Sequence, residues 1–162
     1  MISATFTGSI ITSFEDALSV CVILTAYIPM LMDTGGNAGG QASVTIIRGL
    51  SLNEIEFSDA LLVVWKEIRV AMLCGLTLAV ANFAKLLLFD KVTVLVAAVV
   101  CLTLMAAVLI AKVVGCILPM LAKKIGFDPA VMASPFITTI VDALSLLIYF
   151  RIATLFLNIG AG

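Results

Sequence analysis

The sequence is poor in charge and contains no histidine. Charged residues make up 12% of its 162 residues, whereas 63% are hydrophobic. A soluble domain carries about 25% charged and about 45–50% apolar residues, so this composition predicts an integral membrane protein. Without histidine the chain lacks the commonest transition-metal ligand and the usual general base. The composition therefore favours neither an enzyme nor a transition-metal protein.

The sequence also lacks a strong net charge and closely paired cysteines, which argues against nucleic-acid partners, disulfides and a zinc site. The net charge of −1 gives no basis for nucleic acid as a partner. The cysteines lie inside apolar runs and show no Cys-x-x-Cys spacing, which argues against disulfides and a zinc site; they are Cys21, Cys74, Cys101 and Cys116. Membrane lipid is the partner that the composition predicts.

Four apolar segments predict an all-α membrane protein with four full transmembrane helices plus a short N-terminal helix at residues 1–14. A spanning helix needs about 20 apolar residues, so that first stretch is too short to cross unaided. Backbone groups in lipid must bond internally, which makes every segment helical. The predicted spans are Ala17–Met32, Val70–Phe89, Val92–Leu121 and Pro129–Leu157. The mixed stretch 51–69 predicts a surface-lying connector helix, capped by Ser58 or Asp59.

Lysine and arginine are concentrated in two connections. The connection after the first span carries Arg48, Lys66 and Arg69, and the connection after the third carries Lys123 and Lys124. Alternation of the spans puts both on one side, which the positive-inside rule assigns to the cytoplasm. The sequence thus predicts a multi-pass plasma-membrane protein with its C-terminus outside.

One acidic residue lies far inside the last predicted span. Asp142 follows Pro129 by about 13 residues, or about 20 Å of helix, which places it near the middle of the bilayer. An ionisable group at that depth is costly and typical of an ion pathway. The alternative is a structural aspartate, either neutral or paired with Lys85, Lys112 or Arg151.

The neighbours of Asp142 favour the ion pathway. Ser134, Thr138 and Asp142 recur every four residues and therefore share one helix face. Pro135 removes a backbone donor and frees a carbonyl about one turn earlier. Hydroxyl, carbonyl and carboxylate oxygens are hard donors that suit Mg²⁺, Ca²⁺ or Na⁺.

The stretch "PMLMDTGGNAGGQAS" (29–43) is rich in glycine and in polar oxygens. Its glycines form two overlapping small-xxx-small pairs, Gly35 with Gly39 and Gly36 with Gly40. Asn37 and Gln41 add amide oxygens, and Pro29 predicts a helix break ahead of them. Such a broken helix is typical of a wet ion-binding cavity in transporters. The alternative is a helix-packing motif with a polar C-terminal cap.

Two motifs closely resemble the membrane domain of the MgtE magnesium channel family. They are "PMLMDTGGNAGGQASVTIIRGL" (29–50) and "FDPAVMASPFITTIVDALSLLIYF" (127–150). The resemblance implies a homodimer with its pore at the subunit interface and Asp142 as the main ion-site acid. The residues that it implies for the ion path are Asp142, Thr138, Ser134, Gly35, Gly36, Asn37, Gly39, Gly40 and Gln41.

The sequence departs from the family pattern in three respects. Family members carry a soluble N-terminal domain and paired CBS domains on the cytoplasmic side, whereas residues 1–162 are expected to form a single transmembrane domain without them. Family members have five spanning helices, whereas the first is here reduced to about 14 residues. Ser134 stands where some relatives have an asparagine.

The expected function is a channel that moves hydrated Mg²⁺, with Mn²⁺, Co²⁺ and Ca²⁺ as open alternatives for the ion. One rival is a secondary transporter of the same fold that couples ion entry to H⁺ or Na⁺. A second is an intramembrane aspartyl hydrolase, which needs the Asp33 and Asp142 carboxyls about 3 Å apart. With Asp33 expected at the cytoplasmic end, depth argues against it. A third is a structural membrane subunit, which leaves Asp142 without a role.

Overall fold

The computed structural model describes residues 2–14, 22–132 and 135–157, and the regular structure in these ranges is helical. A 3₁₀ segment, Val22–Tyr27, leads into the second helix, and a 3₁₀ turn, Phe57–Asp59, leads into the third. The helices are α1 (Ile2–Ser13), α2 (Ile28–Ser51), α3 (Ala60–Leu88), α4 (Val94–Lys124), α5 (Pro129–Met132) and α6 (Pro135–Leu157).

Within the described ranges, three helical segments are long and apolar enough to cross a membrane: Phe57–Leu88, Val94–Lys124 and Phe136–Leu157. This confirms the all-helical membrane fold but gives one spanning helix fewer than predicted. The 24 residues of α2 cover ~36 Å, enough to span, yet its glycines and polar side chains dilute its apolar character. The short N-terminal helix is confirmed, since the 12 residues of α1 cover ~18 Å against a hydrocarbon core of ~30 Å.

The predicted bounds of the first span were wrong. Residues 15–21 lie outside the described part of the chain, and the helix itself runs from Ile28 to Ser51. Pro29 lies in its first turn, where a missing backbone N–H disturbs no helical bond, so this proline begins α2 rather than breaking it. The glycine motif is regular helix throughout. Its glycines therefore do not adopt positive φ; among the described glycines that conformation is found at Gly126, in a later loop.

The connector helix and the second predicted span are one helix, α3. No proline interrupts the chain between residues 60 and 88, so the helix continues from the interface into the apolar stretch. Asp59 occupies the position before α3, as predicted, but its carboxylate bonds elsewhere. Its Oδ2 accepts a hydrogen bond of 2.9 Å from the backbone N–H of Glu56 in the preceding 3₁₀ turn.

The last predicted span is divided into α5 and α6. Asp128 caps the short α5, because its Oδ1 accepts a hydrogen bond of 2.9 Å from the backbone N–H of Ala130. The spanning helix begins only at Pro135. Asp142 is therefore about 7 residues, or about 10 Å, from the start of its helix, half the depth predicted from Pro129.

Helices α2, α4 and α6 pack against one another in the centre of the fold. Helix α3 packs mainly on α4, and α1 packs on α6, where the rings of Phe14 and Phe150 stack 4.8 Å apart. The closest approach is that of α2 to α4, since a Cβ added to Gly115 would collide with the carbonyl oxygen of Gly39. This central trio fixes which face of α2 remains uncovered.

Candidate functional site: a polar cavity between α2 and α6

A half-open cavity of about 740 Å³ lies between α2 and the first half of α6. Among the described residues that line it are two carboxylates and no basic side chain. The lining residues are Met32, Asp33, Gly36, Asn37, Gly40, Gln41, Ser43, Val44, Thr45, Thr138 and Asp142. A cavity with this composition attracts cations.

The two glycine pairs of α2 serve different contacts. Gly35 and Gly39 are buried, and a Cβ on either would lie 3.0 Å from a side-chain carbon of α6, on Val141 and Ile137 respectively. Their hydrogen side chains let α6 pack directly on the backbone of α2. They lie beside the cavity and are not part of its lining.

Gly36 and Gly40 instead form the cavity wall. A Cβ on Gly36 would lie 3.6 Å from the Thr138 methyl group and 4.0 Å from Oδ1 of Asp142, whereas one on Gly40 would meet nothing within 4 Å. Asp142 and Thr138 therefore lie next to the bare backbone of α2 at Gly36. This arrangement keeps the space beside the carboxylate open to a bulky ligand such as a hydrated ion.

A stripe of polar side chains runs along α2 next to these glycines. Asp33, Asn37 and Gln41 recur every four residues, so they share a face and are spaced ~6 Å apart along the axis. All three are exposed, and none forms a side-chain hydrogen bond with another described residue. The stripe offers a carboxylate and two amides to whatever occupies the cavity.

Asp142 itself is half-buried and has no ion pair within the described ranges. Two of its suggested partners are engaged elsewhere: Nζ of Lys112 lies 3.2 Å from Glu67, and Nζ of Lys85 lies 2.7 Å from Asp90. The third, Arg151, is exposed more than two turns further along α6. These distances weaken the structural alternative, in which Asp142 is paired with a base.

The structure also revises the position of Asp33. The helix that carries it begins at Ile28, so Asp33 lies in the second turn, far from the end of α2 at Ser51. It was expected at the cytoplasmic end, and that expectation was wrong because the predicted span ended too early. Asp33 instead lies about one turn from Gly36, the residue that faces Asp142. A difference in depth between Asp33 and Asp142 is therefore no longer an argument against the aspartyl hydrolase alternative.

Six of the nine residues expected along the ion path line the cavity: Gly36, Asn37, Gly40, Gln41, Thr138 and Asp142. Gly35 and Gly39 pack against protein instead, and Ser134 lies outside the described residues. Sequence reasoning missed Met32, Ser43, Val44 and Thr45. Gly36, Gly40 and Ser43 are spaced i, i+4 and i+7 and therefore share one helix face. This spacing is the sequence signal from which a cavity position for Ser43 could have been predicted.

Ser43 is the most unusual of these additional residues. It is fully buried, and its Oγ has no hydrogen-bond partner among the described residues. Other hydroxyls of α2 bond back to the preceding turn, as Thr34 does to the Met30 carbonyl at 2.7 Å and Thr45 to the Gln41 carbonyl at 3.0 Å. A buried hydroxyl without a partner destabilises the fold by about 1–3 kcal/mol.

Fold and site together define a helical membrane protein with a polar, acidic cavity between two of its helices. A model of the MgtE family, described as divalent cation transporters, matches residues 28–152. The chain belongs to this family, which confirms the resemblance seen in the two motifs. It is accordingly a multi-pass protein of the plasma membrane.

Curated relatives agree with the family assignment. The chain is 38% identical over 152 residues to the magnesium transporter MgtE of Thermus thermophilus. This alignment covers 94% of the chain and 33% of the relative. It is 37% identical over 151 residues to the magnesium transporter MgtE of Bacillus subtilis, with coverages of 93% and 33%. The corresponding protein of Enterococcus faecalis is 32% identical over 154 residues, with coverages of 94% and 33%. The chain thus spans about a third of the length of these relatives.

Proposed function

We propose that two copies of this chain form a channel for hydrated Mg²⁺, with the cavity between α2 and α6 as half of the pore and Asp142 as the central ion-site acid. The observation that carries the proposal is the cavity lining, in which Asp142 and Thr138 lie next to Gly36 and the described residues include no basic side chain. The names of the relatives, magnesium transporters, support Mg²⁺ as the ion.

The uncovered face of α2 supports a dimer. Asp33, Asn37 and Gln41 are exposed on a helix that packs among the membrane-spanning helices. Polar side chains at membrane depth face protein or water because contact with lipid is costly. A second copy placed against this face would enclose the cavity and bring a second Asp142 to it. Two carboxylates would then match the charge of one divalent ion.

The lining suits a hydrated ion better than a bare one. Mg²⁺ takes octahedral oxygen coordination at about 2.0–2.1 Å and loses its waters reluctantly. At about 30 Å³ each, six waters need about 180 Å³, which the cavity of about 740 Å³ accommodates. Coordinated waters would donate hydrogen bonds to the Asp142 carboxylate and to the amide oxygens of Asn37 and Gln41. The protein would thus recognise the ion through its water shell.

The direction of flow follows from the membrane potential. Each elementary charge gains about 2.3 kcal/mol per 100 mV, so a divalent ion gains about 4.6 kcal/mol on entering a cell with a negative interior. No coupled ion is required for uptake. The second candidate, a carrier that couples entry to H⁺ or Na⁺, shares the cavity and differs in requiring a gradient of that ion.

The test is Mg²⁺ flux into liposomes that contain the purified protein. Asp142→Ala should abolish flux while the dimer stays intact by size-exclusion chromatography. Asp90→Asn, which removes an acid from the α3–α4 loop, is the matched control and should retain flux. Unchanged flux in Asp142→Ala would end the assignment of the ion site. Flux that stops when H⁺ and Na⁺ gradients are collapsed would favour the carrier over the channel.

A further inference from the structure

A buried ion pair between α3 and α4 lies outside the cavity and is not part of the proposed ion site. Nζ of Lys112 in α4 is 3.2 Å from Oε2 of Glu67 in α3, and the two side chains are only 10% and 12% exposed. Both residues belong to segments that are long and apolar enough to span a membrane. Ionisable residues at such positions are costly and are candidates for a functional role.

The backbone beside Lys112 contacts the helix that forms the cavity wall. The neighbouring Ala111 touches α2, because a Cβ on Gly39 would lie 3.1 Å from the Ala111 carbonyl oxygen. Gly36 and Gly40, which lie about 60° and about 100° around α2 from Gly39, line the cavity. The backbone at Lys112 therefore lies within about one helix diameter, roughly 10 Å, of the cavity.

A lysine at that distance affects a cation unless its charge is cancelled. Charges buried in a low-dielectric interior interact over many ångströms, and salt screens them far less than it screens surface charges. The repulsion felt by a divalent ion is twice that felt by a monovalent one. An unpaired ammonium at Lys112 would oppose the attraction that Asp142 exerts on the ion.

Holding α3 against α4 does not require this ion pair. Ala71, Gly75 and Ala79 are buried at four-residue intervals along α3 and already form a small-residue contact face. A Cβ on Gly75 would lie 3.5 Å from the Cα of Met105 in α4, so the helices meet closely there. The ion pair lies about two turns from Gly75, where Glu67 meets the one buried lysine of the described residues.

We propose that Glu67 permits divalent-cation passage through the cavity by compensating Lys112: its carboxylate cancels the lysine charge and leaves the surroundings of the cavity wall neutral to a passing divalent cation. The inference rests on the proposed function, since it concerns Mg²⁺ passing Asp142. Glu67 makes no contact with the ion and acts only by compensating the charge of Lys112.

The experiment compares Mg²⁺ flux in liposomes for the wild type, Glu67→Gln, Lys112→Met and the double variant, each normalised to folded dimer. Glu67→Gln should lower flux at least about tenfold, because it leaves a positive charge near the cavity. Lys112→Met should stay within about twofold of the wild type, and the double variant should recover to a similar level. Asp90→Asn, which breaks the exposed pair with Lys85, is the matched control and should change flux less than twofold.

The asymmetry between the single variants separates a charge effect from a packing effect. If the pair served only to hold the helices together, both single variants would lose flux, and that result overturns the proposal. Equal flux in Glu67→Gln and the wild type overturns it as well. If Glu67→Gln is not recovered folded, Lys112→Met and the double variant carry the test: equal flux supports charge compensation, and a further loss in the double variant refutes it. Absence of flux in the wild type would instead refute the proposed function.

Discussion

The two glycine pairs of α2 differ by one position in the sequence and have opposite surroundings. Gly35 and Gly39 are pressed against α6, and Gly39 also against α4, so any side chain there would displace packed atoms. Gly36 and Gly40 face a cavity, where a methyl group has room. The same residue type thus permits tight packing on one face and open space beside Asp142 on the next. The predictions that follow test this difference, from the largest expected effect to the smallest.

The largest effect is expected at the tightest backbone contact. Gly115→Ala would place a methyl group against the carbonyl of Gly39, and neither backbone can move without separating α2 from α4. Overpacking of this kind costs typically 1–3 kcal/mol and occasionally more. We expect a marked loss of folded dimer and a lower midpoint of thermal unfolding in detergent. Gly75→Ala, whose Cβ would lie 3.5 Å from the nearest atom, is the control and should unfold near the wild-type temperature.

The next test compares the same substitution on the packed face and on the cavity face of α2. Gly39→Ala should destabilise the protein by about 1–3 kcal/mol, since its methyl group would press on Ile137 and on the Ala111 carbonyl. Gly40→Ala should leave stability unchanged or raise it by up to about 1 kcal/mol, the difference in helix propensity between the two residues. Thermal unfolding of both variants measures the contrast. Equal destabilisation of the two would contradict the assignment of separate faces.

A larger side chain on the cavity face should affect transport rather than folding. Gly36→Leu would extend a side chain past the Asp142 carboxylate into the cavity, where a hydrated ion needs room. We expect a folded dimer with Mg²⁺ flux reduced at least about tenfold, an increase of about 1.4 kcal/mol in the barrier. Gly36→Ala, with its Cβ 3.6 Å from Thr138, should retain most of the flux. Full flux in the leucine variant would mean that the ion passes elsewhere.

A smaller effect is expected at Ser43, on the border between the packed and open faces. Its hydroxyl is buried without a partner among the described residues, so Ser43→Ala removes an unsatisfied group. Stability should stay the same or rise by about 1 kcal/mol, measured as a thermal shift. A clear loss of stability would show that the hydroxyl has a partner in the assembled dimer.

The smallest effect is expected at Tyr27, just before the first residue of α2 and away from both glycine pairs. The Tyr27 hydroxyl donates a 3.2 Å hydrogen bond to Asp90, and hydrogen bonds from Lys85 and Tyr27 lower the pKa of the Asp90 carboxyl below its ordinary value. A lowered folded-state pKa stabilises the protein above the unfolded pKa, and this contribution disappears as the pH falls through the folded value. Unfolding midpoints between pH 5 and pH 3 should therefore fall slightly more for the wild type than for Asp90→Asn. Parallel curves would show that the contact contributes nothing.

Residue pattern alone predicted most of the architecture. The long apolar run that forms α4 was found to within three residues at each end. The start of α2 was missed because an apolar run does not distinguish a 3₁₀ segment from an α-helix, and because Pro29 fits both a break and a first turn. The start of α6 was misplaced for a similar reason, since Pro129 and Pro135 each suit a first turn.

The sequence by itself determined that this chain lies in a membrane, that it is helical, and that hard oxygen donors collect on two of its helices. These properties follow from hydropathy, from the need to pair backbone groups in lipid, and from residue chemistry, all of which are local. Only the tertiary structure decided which glycines are buried, that Lys112 is paired with Glu67, and that Asp142 faces an open cavity. Those outcomes depend on how α4 and α6 pack around α2, and a helix rotated by a single residue would have exchanged the two faces.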